Sequence, residues 1–241
     1  LPLWKAAVGC IFAIAVVKQL FGGLGCNFAN PAITGRVFLL LSFAGDMTTW
    51  VKPFYYHGLS IGNQLSSSAG SLDLDAVTSA TPLVTGTESL SNLFLGNVGG
   101  CIGETSALAL LLGGLFLIFT HIISPSTPIA YLGSLGILTF FHALATGGSL
   151  TEVPYALLSG GVMIGAFFMA TDYVTTPITT KGKWIFGIGC GILTFVIREF
   201  ASMPEGCSFS ILLMNLLTPY IDKFTMTKPL GAKPIKKKEE A

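Results

Sequence analysis

Residues Thr105–His121 read Thr-Ser-Ala-Leu-Ala-Leu-Leu-Leu-Gly-Gly-Leu-Phe-Leu-Ile-Phe-Thr-His, without one Asp, Glu, Lys or Arg. At ~1.5 Å per residue such a helix is about 25 Å long, close to the ~30 Å hydrocarbon core of a bilayer. Six further runs are predominantly apolar: Ala6–Leu20, Ile33–Trp50, Ile129–Ala145, Tyr155–Thr171, Trp184–Ile197 and Cys207–Ile221. A shorter piece, Leu90–Val98, cannot span. It is followed by Gly99–Gly100, the pattern of a broken or re-entrant segment, which is tolerated at membrane depth only inside protein or along a cavity.

The whole chain agrees with these runs. Of 241 residues 51% are hydrophobic and 10% charged, and mean hydropathy is +0.72. An ordinary soluble domain is ~25% charged, so this chain lacks the polar surface that water would require. The expected fold is therefore all-α: one polytopic membrane bundle over residues 1–241, with about seven spans and a broken segment. Net charge is +1, which gives no basic field for nucleic acid. Five Cys stand singly, at 10, 26, 101, 190 and 207. No grouping of ligands predicts a metal, haem or iron–sulfur centre.

Lys and Arg orient the bundle. Alternating the spans puts Lys18, Arg36, Lys181, Lys183, Lys223, Lys228, Lys233, Lys236, Lys237 and Lys238 on one side, and only Lys5, Lys52 and Arg198 on the other. The basic tail 223–241 is accordingly expected in the cytoplasm. Asp46, Asp73, Asp75, Glu88, Glu104, Glu152, Glu199 and Glu205 fall outside or near the outer ends. This puts Leu1 outside, so an odd number of preceding helices is expected. Residues 51–89 form the one long polar stretch, on the outer side. Connections beyond ~12–15 residues are usually functional or disordered, which makes this loop the place to look for chemistry.

Within it lies Asp75-Ala76-Val77-Thr78-Ser79-Ala80-Thr81-Pro82-Leu83. A hydroxyl on an exposed, turn-rich loop can enter another enzyme's active site, small neighbours avoid clashes, and Pro82 keeps Thr81 extended. The stretch resembles the flavinylation motif of the Rnf and Na⁺-NQR respiratory complexes, Asp-Ala-x-Ser/Thr-Gly/Ser-Ala-Thr, which ends on the modified Thr. Further blocks carry the same resemblance: Phe21–Ala32 (Phe-Gly-Gly-Leu-Gly-Cys-Asn-Phe-Ala-Asn-Pro-Ala), Gly103–Gly114, Phe168–Asp172, and Pro204–Ser208 continuing through Leu212–Asn215. They cover nearly the whole chain, which is similar to the NqrB/RnfD family, the membrane subunits of B type in Na⁺-NQR and of D type in Rnf. The short basic tail fits the D type better.

The resemblance implies about ten helices, about three of them before the equivalent of Leu1. It also implies FMN joined through its phosphate to Thr81 by a separate flavin transferase, with Asp75, Thr78, Ser79 and Ala80 as the recognition motif. Glu104, Thr105 and Ser106 open a span on the same side. They read as ordinary helix-start chemistry or as a helix start facing the flavin. Asn27 and Asn30 in the Gly-rich inner loop read as turn formers or as part of a second, noncovalent flavin site, with riboflavin as its candidate ligand. Asp172 and Asp222 sit at helix C-termini, where a carboxylate needs a partner or a task. Arg36 and Arg198 read by default as snorkelling to headgroups, with a flavin or anionic lipid as the alternative contact for Arg36. His121 and His142 stand alone at span ends. Gly103–Ser106 before an LLL-rich helix also echoes Glu205–Ser208 before Ile211–Leu213, as in duplicated transporter halves.

The function this resemblance implies is a subunit of an ion-translocating ferredoxin:NAD⁺ oxidoreductase that relays electrons coupled to Na⁺ or H⁺ movement. It is part of an enzyme without being catalytic alone. It has no strand–GxGxxG–helix context for binding NAD itself. Implied partners are the other Rnf subunits (flavin-carrying RnfG, the membrane proteins RnfA and RnfE, and NADH-binding RnfC), the flavin transferase and lipid, in a bacterial cytoplasmic membrane. A solute transporter or channel on a similar scaffold is the rival.

Overall fold

The structure is a computed structural model that describes residues 1–48, 50–51, 78–79, 88–101, 103, 105–201 and 205–226. Each of the seven apolar runs forms helix. The first is α1 (Leu3–Ile11), continuing as a π-helical stretch, π1 (Phe12–Gln19). Then come α2 (Pro31–Ser42), the single turn α3 (Ala44–Met47), the short α4 (Leu90–Leu95) and α5 (Ala107–Phe119). The second half comprises α6 (Ser126–Thr146), α7 (Glu152–Leu158), α8 (Val162–Ile164) running into π2 (Gly165–Met169), α9 (Thr180–Phe200) and α10 (Cys207–Thr225).

Glycines show which helices run side by side, because small residues let backbones approach. A Cβ on Gly187 of α9 would lie 2.8 Å from Thr127 O of α6, and one on Gly191 would lie 2.8 Å from Tyr131 O. The contacts advance together, so α6 and α9 are parallel. Gly189 faces Met214 and Gly182 faces Thr225, so α9 and α10 are antiparallel. By the same reading Gly9 against Leu39 and Gly35 against Ala13 set α1–π1 antiparallel to α2; the short turn between Thr146 and Glu152, with Gly136 against Val153 and Leu157, folds α7 back along α6. Gly103, just before α5, against Ile164 and Gly113 against Phe168 set α5 parallel to α8–π2. Direction therefore alternates from run to run along the chain.

Among the described residues, α6 and α9, each 21 residues, are long and apolar enough to cross a bilayer, and α7 with α8–π2, bent by 64°, has the length and composition of a broken span or a re-entrant loop. The other runs are shorter or less apolar. The largest side chains of the core, Tyr131, Phe186, Ile33 and Ile211, are at most 1% exposed, while Leu3, Phe119 and Phe224 are 86%, 76% and 86% exposed. An outer face this apolar fits lipid rather than water. A closed hydroxyl triangle sits in the core: Tyr131 OH lies 2.7 Å from Thr194 Oγ1 and 3.3 Å from Ser210 Oγ, which are 2.8 Å apart.

The all-α expectation holds for this frame, with departures in detail. The run Tyr155–Thr171 is not one helix. The chain leaves helix at Ser159 (φ −89°, ψ 142°), and Gly160 takes φ +64°. Such a break is tolerable because Arg198 of α9 donates to the freed Ala156 O (2.7 Å) and Ser159 O (3.1 Å). The run Ile33–Trp50 is interrupted at Phe43 (φ −135°, ψ 50°). Leu90–Val98 matches α4, closed by Gly96 in the left-handed region (φ +101°). A two-residue antiparallel ladder pairs β1 (Trp50–Val51) with β2 (Thr78–Ser79), bringing part of the expected flavin motif back beside the end of α3.

Candidate functional site

Two chain reversals, residues 20–30 after π1 and 170–179 after π2, fold back toward the bundle interior. Their common anchor is Asn215, 1% exposed and near the middle of α10. Its side-chain amide donates to Thr175 O (3.3 Å) and accepts from the Asn30 N–H (3.1 Å). Thr218, one turn further, donates to Thr175 O as well (2.9 Å), and Asp222 accepts from the Ile178 N–H (3.1 Å). Asp222 thus has the partner that a carboxylate at a helix C-terminus needs. Asn215 lies about 12 Å along α10 from Cys207 at ~1.5 Å per residue, so α2 starts well inside the bundle.

The reversals border an open cavity of about 540 Å³ lined by Ala13, Ile14, Lys18, Asn27, Asn30 and Asp172, among others. That lies within the ~300–1,000 Å³ typical of small-molecule sites. Asn30 is committed to structure: its Oδ1 caps α2 by accepting from Ala32 N (3.0 Å) and Ile33 N (3.4 Å). Asn27 is not, since its Oδ1 is buried without a partner among the described residues. An orphaned acceptor at a cavity wall fits a ligand bearing an N–H. Asp172 accepts from Thr175 Oγ1 (3.0 Å), which ties it into the second reversal.

At the start of α5, Ser106 accepts from Ala109 N (3.3 Å), the ordinary helix-start role. Thr105 stands half-buried beside it. Thr78 and Ser79 are held through their backbones in the β-ladder. Thr81, Asp75, Ala80 and Glu104 lie outside the described residues, so the covalent flavin site is not described by this geometry.

A second constellation joins segments that span alternation had put on opposite sides. Arg36 of α2 pairs through both guanidinium nitrogens with Glu205 just before α10, with Nη2–Oε2 at 2.7 Å. It also donates to Ser208 Oγ (2.7 Å) and Cys101 Sγ (3.2 Å). The default snorkelling reading of Arg36 gives way to this arrangement, because a bidentate carboxylate is the better partner for a planar fork. The signal was present in the sequence as one charge of each sign bordering apolar runs. What hid it was counting α2 as a full crossing.

The sequence profile of the NQR2, RnfD, RnfE family matches residues 1–231. The chain belongs to that family. It is 47% identical over 249 residues to the D subunit of the Na(+)-translocating ferredoxin:NAD(+) oxidoreductase complex of Acetobacterium woodii, covering 100% of this chain and 70% of that protein. It is 42% identical to the D subunit of the proton-translocating ferredoxin:NAD(+) oxidoreductase complex of Clostridium ljungdahlii (97% and 70% covered). The D subunit of the ion-translocating oxidoreductase complex of Stutzerimonas stutzeri is 40% identical (95% and 71%). These family members are named as oxidoreductase subunits rather than as solute transporters or channels. Family members this similar carry two different ions in their names, so membership in the NQR2, RnfD, RnfE family does not select the ion.

Proposed function

We propose that this chain is the D-type membrane subunit of an ion-translocating ferredoxin:NAD⁺ oxidoreductase, a redox-driven Na⁺ or H⁺ translocase. The single observation that carries the reading is the 47% identity over the full chain to such a protein. The apolar outer face and the flavin-sized cavity support it. The protein works in a bacterial cytoplasmic membrane as one membrane domain, residues 1–241, with its tail 223–241 in the cytoplasm and its 51–89 loop outside. Its partners are RnfA, RnfC, RnfE and RnfG of the complex and, for maturation, a flavin transferase.

Thr81 is the acceptor for FMN, linked through its phosphate, with Asp75, Thr78, Ser79 and Ala80 as the motif the transferase reads and Glu104–Ser106 bordering the site. A second flavin, riboflavin in this reading, occupies the cavity between the reversals. There the Asn27 Oδ1 accepts a hydrogen bond from the ring's N–H edge. Ala13 and Ile14 exclude water, and Asn215 keeps the two loops at their spacing. Bound flavin supplies one- and two-electron chemistry, while the protein supplies position and electrostatics.

The test is in-gel fluorescence of the denatured protein after coexpression with a flavin transferase. Wild-type protein fluoresces and Thr81→Ala does not, with the FMN mass found on the peptide containing Thr81. Fluorescence persisting in Thr81→Ala would move the attachment elsewhere. Colourless purified protein with solute flux would support the transporter reading instead.

A further inference from the structure

We propose that the end of the bundle where α6 and α9 begin holds a binding site for a phosphate-type oxyanion. The site is a cavity of about 200 Å³, separate from the flavin cavity, whose lining includes Ser124, Thr127, Thr171, Tyr173, Thr176 and Lys183. Three of these hydroxyls are committed to holding the wall. Thr171 donates to Phe167 O (2.7 Å), Thr176 to Asp172 O (2.5 Å), and Tyr173 to Ile122 O.

Thr127 is different. It is 2% exposed, lines the cavity, and its hydroxyl has no hydrogen-bond partner among the described residues. A buried hydroxyl is ordinarily paired, and an unpaired one facing a cavity calls for a ligand. Around it stand further donors. Pro128 has no N–H, and the Ile129 N–H is taken by Pro125 O (3.1 Å). The N–H groups of Ser126 and Thr127 thus remain at the start of the 21-residue α6, with no carbonyl partner among the described residues. Ser124 and Ser126 share one hydrogen bond (2.7 Å), which leaves one of their two protons free.

Charge decides the class of ligand. Lys183 lines the cavity and has no ion pair among the described residues, and no carboxylate is among the lining residues. Of the acids nearby, Asp172 is turned to Thr175 and lines the other cavity, and Asp222 stands behind the wall, its Oδ1 taken by the Ile178 N–H (3.1 Å). An ammonium, a helix N-terminus and an unpaired hydroxyl suit an oxyanion and repel a cation. The same chemistry is offered by the headgroup of an anionic phospholipid and by a soluble phosphate. The first is attractive because Ile178, in the lining, is 78% exposed and extends the site as an apolar surface.

The experiment uses the purified, delipidated complex containing this chain. Thermal stability is titrated with inorganic phosphate, with phosphatidylglycerol, and with a phosphate-free diacyl glycolipid as control. Binding of either phosphate compound but not the glycolipid is expected. Stabilisation by phosphatidylglycerol alone identifies a lipid headgroup site, and stabilisation by inorganic phosphate identifies a soluble ligand. In Thr127→Val and Lys183→Gln the half-saturating concentration should rise about tenfold or more, the cost of one hydrogen bond to a charged group. Thr127→Ser and Lys183→Arg should restore it, and they keep the test valid if the first pair assembles poorly. No response to either phosphate compound, or the same response in all four variants, overturns the site.

Discussion

At the residue scale, the informative atoms are those whose hydrogen bonding is either complete or conspicuously not. Asn30 and Asn27 stand three residues apart in one loop, yet the first spends its Oδ1 on capping α2 while the second keeps a buried oxygen without a partner among the described residues. Asn27→Leu, which removes only that acceptor, should weaken retention of the noncovalent flavin about tenfold. Flavin content after native purification reads this out, and covalent fluorescence at Thr81 should be unchanged. Asn27→Leu protein with a full complement of noncovalent flavin would reject the contact. Arg36 and Glu205 make a prediction about stability. Their side chains are only 22% and 19% exposed, and removing one partner leaves the other charge buried. Arg36→Met or Glu205→Leu alone should each cost about 3 kcal/mol, and the double variant should cost less than these two single changes added. Thermal unfolding of the detergent-solubilised complex measures the cycle, and strict additivity would refute the coupling.

At the element scale, the bundle is made by glycine-lined helix contacts and by breaks whose carbonyls find donors. The α6–α9 contact is the clearest. A Cβ on Gly191 would meet Ser134 Oγ at 1.9 Å and Tyr131 O at 2.8 Å, and the backbone carbonyl cannot move aside as a side chain can. Gly191→Val should therefore destabilise by about 1–3 kcal/mol through overpacking, lowering the complex's melting temperature. A variant as stable as wild type would mean that the two helices are not in this register. The break after α7 illustrates the second device, since Arg198 takes the charge that would otherwise snorkel and spends it on Ala156 O and Ser159 O. Hydropathy makes Tyr155–Thr171 one run, and the break at Ser159–Gly160 shows only in the structure. The donor that makes it tolerable comes from a helix 39 residues further on for the Ser159 contact, and nothing local announces it.

At the scale of the whole molecule, helix directions alternate, and exposed Cys26 on the 20–30 reversal becomes a probe of orientation. A membrane-impermeant maleimide should label Cys26 in inverted vesicles and not in right-side-out ones, while buried Cys190 and Cys207 resist both. Labelling of Cys26 from the outer side would invert the proposed topology. Hydropathy by itself determined the class of fold and the seven runs that carry helix, because solvation by lipid acts on each side chain whatever its distant neighbours are; charge adds the proposed orientation. They also drew attention to Asn27 and Asn30 through the glycines around them. What only the tertiary structure decided is which polar groups meet: Asn215 joining two reversals, Arg36 reaching Glu205 across 169 residues of chain, and Thr127 left unpaired beside Lys183. Hydrogen bonds and ion pairs act over a few ångströms in space, and separation along the chain carries no record of that distance.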